Sequence, residues 1–113
     1  MQPENARDLL EALGHQDGSK EARRRLDAAF RAVDADMRKT IEGVCFRYGN
    51  RMRSARITSD DVHQAVVTKL LRSPPAYNAN RNPVATLRSW LNTTTSRLIL
   101  DLSRRPPHES IDG

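Results

Sequence analysis

The chain has 113 residues, enough for one domain with a single modest core. Its few aromatics and single cysteine, Cys45, exclude an aromatic-rich core and an internal disulfide, leaving Leu, Val, Ile, Ala and Met to fill the interior. No apolar run approaches a membrane span and no signal-peptide apolar segment is seen, so no membrane and a reducing cytoplasm are expected.

The net charge of +5 is uneven. Residues 1–18 carry one basic and four acidic side chains, and residues 19–57 carry eleven basic and five acidic. From Pro74 onward there are five basic and three acidic. Positive charge behind an acidic leader suits a polyanion, most economically nucleic acid, although a solvated Arg-rich surface explains the same charge equally well.

In chain order, Glu4 to Leu13 predicts a short helix with Leu9, Leu10 and Leu13 on one side and Gly14 as its stop. His15 to Ser19 reads as a joint, and the sequence leaves open whether residues 1–19 pack on the body or hang free. Lys20 to Tyr48 carries the clearest helical period, with Leu26, Phe30, Val33, Met37, Ile41, Val44 and Tyr48 at three- and four-residue steps. Gly49-Asn50 supplies the expected stop. Arg47, Arg51, Arg53 and Arg56 crowd that helix end. Interaction with the helix dipole accounts for part of the crowding and phosphate contact could account for the rest, with the structural role favoured.

Thr58 opens the next helix with a capping-box pattern, since Asp61 follows at three residues. Val62, Val66, Val67, Leu70 and Leu71 fill one arc, while Asp61, Gln64, Thr68 and Arg72 form a narrow polar strip opposite. His63 falls inside the apolar arc and reads as a core residue with a satisfied ring nitrogen. No Cys or acid stands at metal spacing around it, so no metal site is expected. Pro74-Pro75 then stop the helix, and the asparagines from Asn78 to Asn82 favour turns.

Pro83 suits the first position of the last helix, with Asn82 as its N-cap. The predicted buried stripe is Val84, Leu87, Leu91, Thr94, Leu98 and Leu102, with Trp90 and Ile99 on its shoulders. Trp90 therefore reads as core before stacking platform. Ser89, Thr93, Ser96, Arg97 and Arg104 fall on the opposite face, and Asp101 can pair with Arg97 and Arg105. The fold class that follows is all-α: a compact bundle of three main helices plus a short N-terminal one. Its domain runs over residues 20–105 behind a leader at 1–19, with a linker or cut end at 106–113.

Asp61-Val62-His63-Gln64, a variable loop, Leu87-Arg88-Ser89-Trp90-Leu91 and Asp101-Leu102-Ser103-Arg104-Arg105 together resemble region 2 of bacterial RNA polymerase sigma factors, closest to the extracytoplasmic-function class. The likeness covers about residues 24–105 and is specific in the combination of order and spacing. It implies a helical domain that docks on the clamp helices of core RNA polymerase and captures the −10 promoter element as a melted non-template strand. Asp61, Gln64 and Thr68 would face the polymerase. Tyr77, Asn78 and Asn80 would meet bases. Arg81, Arg88, Arg97 and Arg104 would meet phosphates, with Asn92 and Ser96 on the same helix. The chain departs from the pattern at Arg97, where the family has Asn, at Ala65, where it has an acid, and at His63, where an aliphatic is common.

Two functions follow. The first is a transcription-initiation module binding polymerase and the −10 strand. The second is a sigma-like adaptor or decoy that binds polymerase, or an anti-sigma protein, without reading DNA. An enzyme is not expected, nor is any cofactor: there is no Gly-rich phosphate loop, no paired catalytic carboxylates and no metal-spaced cluster, and Cys45 lies on or beside a buried stripe.

Overall fold

Five α-helices follow one another through residues 1–104, the part of the chain that the computed structural model describes. They are α1 (Pro3–Gly14), α2 (Lys20–Arg47), α3 (Gly49–Ala55), α4 (Ser59–Arg72) and α5 (Pro83–Arg104). No strand occurs among the described residues, so the all-α expectation holds. Helices α2, α4 and α5 are the main ones, α1 is the short N-terminal one, and α3 is an addition. The expected linker at residues 106–113 and the Asp101–Arg105 pair fall outside the described residues.

Local chemistry sets most helix boundaries. Ser19 Oγ accepts from the Ala22 N–H at 3.1 Å to cap α2. Before it, Gly18 turns the joint at φ +82°, a conformation glycine adopts without a Cβ penalty. Asn82 Oδ1 accepts from the Val84 and Ala85 N–H groups at 3.0 and 3.2 Å, with Pro83 opening α5 as expected.

Gly49 does not end the second helix region. Tyr48 caps α2 at φ −103° and ψ 19°, close enough to helical geometry for the chain to resume at Gly49 as α3. The buried Met52 gives that extra turn its apolar anchor. The left-handed stop falls instead on Arg56, at φ 57°, where the Ile57 N–H reaches the Met52 carbonyl at 2.9 Å. That bond spans the last turn of α3 in the manner of a Schellman closure.

The leader is part of the body. Ala6, Leu9, Leu10, Ala12 and Leu13 of α1 are buried, and α1 lies against α2 and α5. In α2, Val33, Met37, Ile41 and Val44 are buried, while Leu26, Phe30 and Tyr48 are half-buried against them. In α4 the buried set is Val62, Val66 and Leu70, and Leu71 is turned out.

In α5 the predicted stripe is rotated by about one residue. Leu87, Leu91, Thr95 and Ile99 form the buried ridge, and Val84, Thr94, Leu98 and Leu102 are only half-buried. The physical reason is that α5 contacts α1, α2, α3 and α4, so its apolar belt is wide, and a four-residue ridge sits at the middle of it. Two buried polar atoms accompany this packing. Thr95 Oγ1 has no hydrogen-bond partner, unlike the hydroxyls of Thr40, Thr68 and Thr86, which donate to the carbonyls four residues back. His63 Nε2 is also unpartnered, with Asp34 Oδ1 3.9 Å away, so the expected satisfied ring nitrogen is absent. Asp101 makes no ion pair with Arg97. No described helix is long and apolar enough to cross a membrane.

Replacing Thr95 with Val removes a buried hydroxyl that bonds nothing, and is expected to stabilise the fold by about 1 kcal/mol. A thermal melt should show this as a midpoint raised by several degrees. Leu10→Ala should cost roughly 2–5 kcal/mol in the same measurement. An unchanged midpoint for Leu10→Ala would mean that α1 contributes nothing to the core.

Candidate nucleic-acid interface

Between α4 and α5 runs an open groove of about 580 Å³. Lys69 stands on its α4 wall, Arg97 on its α5 wall, and Arg81 in the loop just before α5. Between them α5 presents the hydroxyls of Thr86, Ser89, Thr93 and Thr94 at helical spacing. Trp90 packs partly on the core and shows its remaining surface to the groove. The site thus joins three cations, a row of hydroxyls and one aromatic edge, with no carboxylate in its wall.

Of the residues predicted to meet DNA, Arg81 and Arg97 line this groove and the others do not. Tyr77 is half-buried against the core. Asn78 builds the turn that presents Arg81: its Oδ1 accepts from the Asn80 N–H at 2.9 Å and its carbonyl from the Arg81 N–H at 3.0 Å. Asn80 is exposed, Ser96 is half-buried, and Arg104 is exposed at the end of α5. Asn92 belongs to another flank of α5, where its Nδ2 donates to the Arg88 carbonyl at 2.9 Å and Arg47 Nη2 donates to its Oδ1 at 3.4 Å. Lys69 escaped the sequence reading, and Trp90, expected as core before stacking platform, both packs on the core and lines the groove. Lys69 sits on the flank of the polar strip of α4, and only the approach of α5 makes it a groove residue.

The strip itself is open to solvent: Asp61, Gln64 and Thr68 are all exposed. Thr58 and Asp61 form the complete capping box, with Thr58 N–H donating to Asp61 Oδ2 at 3.1 Å and Asp61 N–H to Thr58 Oγ1 at 3.2 Å. The backbone N–H of Thr58 first, and its side chain second, hold the Asp61 carboxyl below the usual aspartate range. Thr68 donates to the Gln64 backbone carbonyl at 2.9 Å, and the Gln64 side-chain amide makes no hydrogen bond among the described residues.

Charge divides the molecule in two. Residues 1–42 carry eight basic and nine acidic side chains, whereas residues 43–104 carry ten basic and three acidic. The ion pairs among the described residues are Arg25–Glu11, Arg38–Asp60, the Met1 amine with Asp36, and His63 beside Asp34. None of them uses a Lys or Arg of residues 43–104. Arg47 and Arg51 are instead held by neutral oxygens, Asn92 Oδ1 and Ser103 Oγ, the latter at 3.3 Å, and Arg53 by Asn50 Oδ1. Such cations are positioned without being neutralised, as a polyanion site requires. Cys45 is buried, and burial first, then Glu42, pushes its thiol pKa up, away from the reactive thiolate. Among the described residues no group of three His, Cys, Asp or Glu could hold a metal ion.

No family model, curated protein or solved structure matches the chain.

Thr58→Ala removes the cap of α4 and should cost about 1 kcal/mol in denaturant unfolding. Because the folded-state pKa of Asp61 is lowered, its contribution is present above the ordinary aspartate value and is lost as pH falls through the lowered one. The gap in thermal midpoint between wild type and Asp61→Ala should therefore be visible at neutral pH and close in acid. A gap that is the same at both pH values would refute a role for the ionised carboxylate.

Proposed function

We propose that this chain is a transcription-initiation module of the sigma region 2 type, working in the cytoplasm and catalysing no covalent reaction. It holds the non-template strand of the −10 element in the α4/α5 groove and docks on core RNA polymerase through the exposed strip of α4. The observation that carries this reading is the groove: Lys69, Arg81 and Arg97 around hydroxyls and the edge of Trp90, with no acid to repel phosphate. A melted strand needs cations along its backbone and an apolar contact for an unstacked base, and the groove offers three cations and the exposed part of Trp90. Asp61 and Gln64 stand one turn apart on the adjoining strip, where a carboxylate and an amide orient a partner helix more than they tighten it. The order of motifs from Asp61 to Arg104 supports the same reading.

One observation favours the adaptor or decoy as the second reading. Asn78 and Asn82 spend their side-chain oxygens on a turn and a cap, and Tyr77 is half-buried. Asn80 is then the loop residue with its whole amide left for base edges, while Asn78 and Asn82 keep only their Nδ2 donors, and this reading puts phosphate contact ahead of base reading. In that case an anti-sigma protein becomes a further candidate for the α4 strip.

Titration of a labelled −10 non-template oligonucleotide, with and without core polymerase, tests the groove. Arg81→Ala and Arg97→Ala should each flatten the dependence of log Kd on log salt by about 0.7 for every phosphate left without its cation. Arg88→Ala, outside the groove, should have the smaller effect. Loss of preference for the −10 sequence over a scrambled strand, with binding retained, selects the adaptor. In a pulldown, wild type should retain core polymerase and Gln64→Ala should retain less. No retention by wild type removes both readings.

A further inference from the structure

The junction of α2 and α3 carries an aromatic side chain that the fold does not use. Phe46 is 88% exposed, whereas Phe30, Tyr48, Tyr77 and Trp90 all pack at least partly on the core. The residues before it in the same turn, Val44 and Cys45, are buried, so Phe46 is the member of this apolar run that points outward. Gly43 and Gly49 stand three residues to either side. A Cβ at either glycine would meet nothing within 4 Å, so the backbone flanking the ring is bare.

A single exposed phenyl ring is common on protein surfaces. What sets this one apart is its electrostatic setting. Glu42 stands one turn before Phe46 on α2, and from Gly43 to Ser59 the chain has four arginines and no acid. Arg47, Arg51 and Arg53 are anchored by Asn92, Ser103 and Asn50, all neutral, so each guanidinium keeps its full charge and has further donors to offer. An apolar protein partner would have to bury those charges unpaired. A duplex keeps the faces of its bases stacked inside and has no ring to lay on Phe46. A single strand satisfies both halves of the surface, with phosphates for the guanidiniums and an open base for the phenyl face.

We infer that Phe46, Arg47, Arg51 and Arg53 form a second surface for single-stranded nucleic acid, on which a base stacks against Phe46 and the adjoining phosphates meet the arginines. None of these residues lines the α4/α5 groove, and the inference does not rest on promoter recognition there. Recognition on this surface is blind to sequence, because every base has a face to stack and the arginines meet only backbone.

The probe is an eight-nucleotide fluorescein-labelled oligothymidylate, followed by anisotropy on the full chain. Phe46→Ala should raise Kd about tenfold, the scale of one stacked base. Phe46→Leu should do the same despite its apolar area, and Phe46→Tyr should bind like wild type. Arg51→Ala should flatten the salt dependence by about 0.7. Phe46 is exposed, so these variants should keep the wild-type melting midpoint. Wild-type affinity in Phe46→Ala, or in Phe46→Leu, overturns the proposal, the latter because it leaves apolar contact without stacking. Sedimentation covers a second copy of the chain as occupant: a wild-type dimer made monomeric by Phe46→Ala, with oligonucleotide binding unchanged, also overturns it. Repeating the series in an Arg81→Ala, Arg97→Ala background separates the two surfaces. If the Phe46 effect persists there, the second surface stands whatever the groove does. If only the groove substitutions weaken binding, this surface fails and the groove reading survives.

Discussion

The buried ridge of α5, Leu87–Leu91–Thr95–Ile99, is the contact on which the rest of the molecule depends. Like the long α2, α5 touches every other helix, and the two packed together fix where α1, α3 and α4 stand relative to one another. A four-residue ridge packs into the grooves of its neighbours, and each of its members is wholly excluded from water. With α5 thus oriented, its remaining flanks are assigned as well. One faces α4 and becomes the groove with Lys69, Arg81 and Arg97. Another faces the end of α2, where Arg47 meets Asn92.

The second organising constraint is electrostatic. A small basic domain normally spreads its charge among partners, and the first forty-two residues do so, with Arg25 on Glu11 and Arg38 near Asp60. Residues 43–104 set three carboxylates against ten basic side chains, and Arg47, Arg51 and Arg53 are steadied by amides and a hydroxyl. Exposed ion pairs are worth little to stability, so their absence costs the fold almost nothing. It leaves an excess of positive charge around the groove and around the end of α2. The acidic strip at Asp61 is the local exception, and there the carboxylate is already engaged with the Thr58 backbone. Gln64, free of any capping duty, is the residue whose only evident use is outward.

Much of the fold was legible because helix boundaries are written in local chemistry. Ser19, Thr58 and Asn82 cap the backbone within three residues of themselves, and Pro74-Pro75 and Pro83 act on their own φ angles and those of adjacent residues. The stripe of α2 was legible because Val33, Met37, Ile41 and Val44 recur at three- and four-residue steps, with Phe46 the one large apolar side chain of α2 turned away from them. Gly49 misled because glycine at a helix end usually adopts the left-handed turn, whereas here burial of Met52 favoured another helical turn and moved that conformation to Arg56. The candidate site was legible in its types more than in its members. Arg81 and Arg97 belong to the groove, Arg88 and Asn92 do not line it, and Lys69 and Trp90 complete it.

By itself, then, the sequence determined the helical class, the caps, the acid-poor second half and the spacing of the polar strip on α4, since each depends on residues within a turn or two of one another. Tertiary structure decided which side of α5 is buried, that α1 joins the core, that Lys69 and Arg97 line one groove, and that Phe46 is left bare. Those outcomes depend on which helix arrives from far along the chain. With Leu98, Ile99, Leu100 and Leu102 all apolar, periodicity alone has no means of choosing the face that its neighbours will cover.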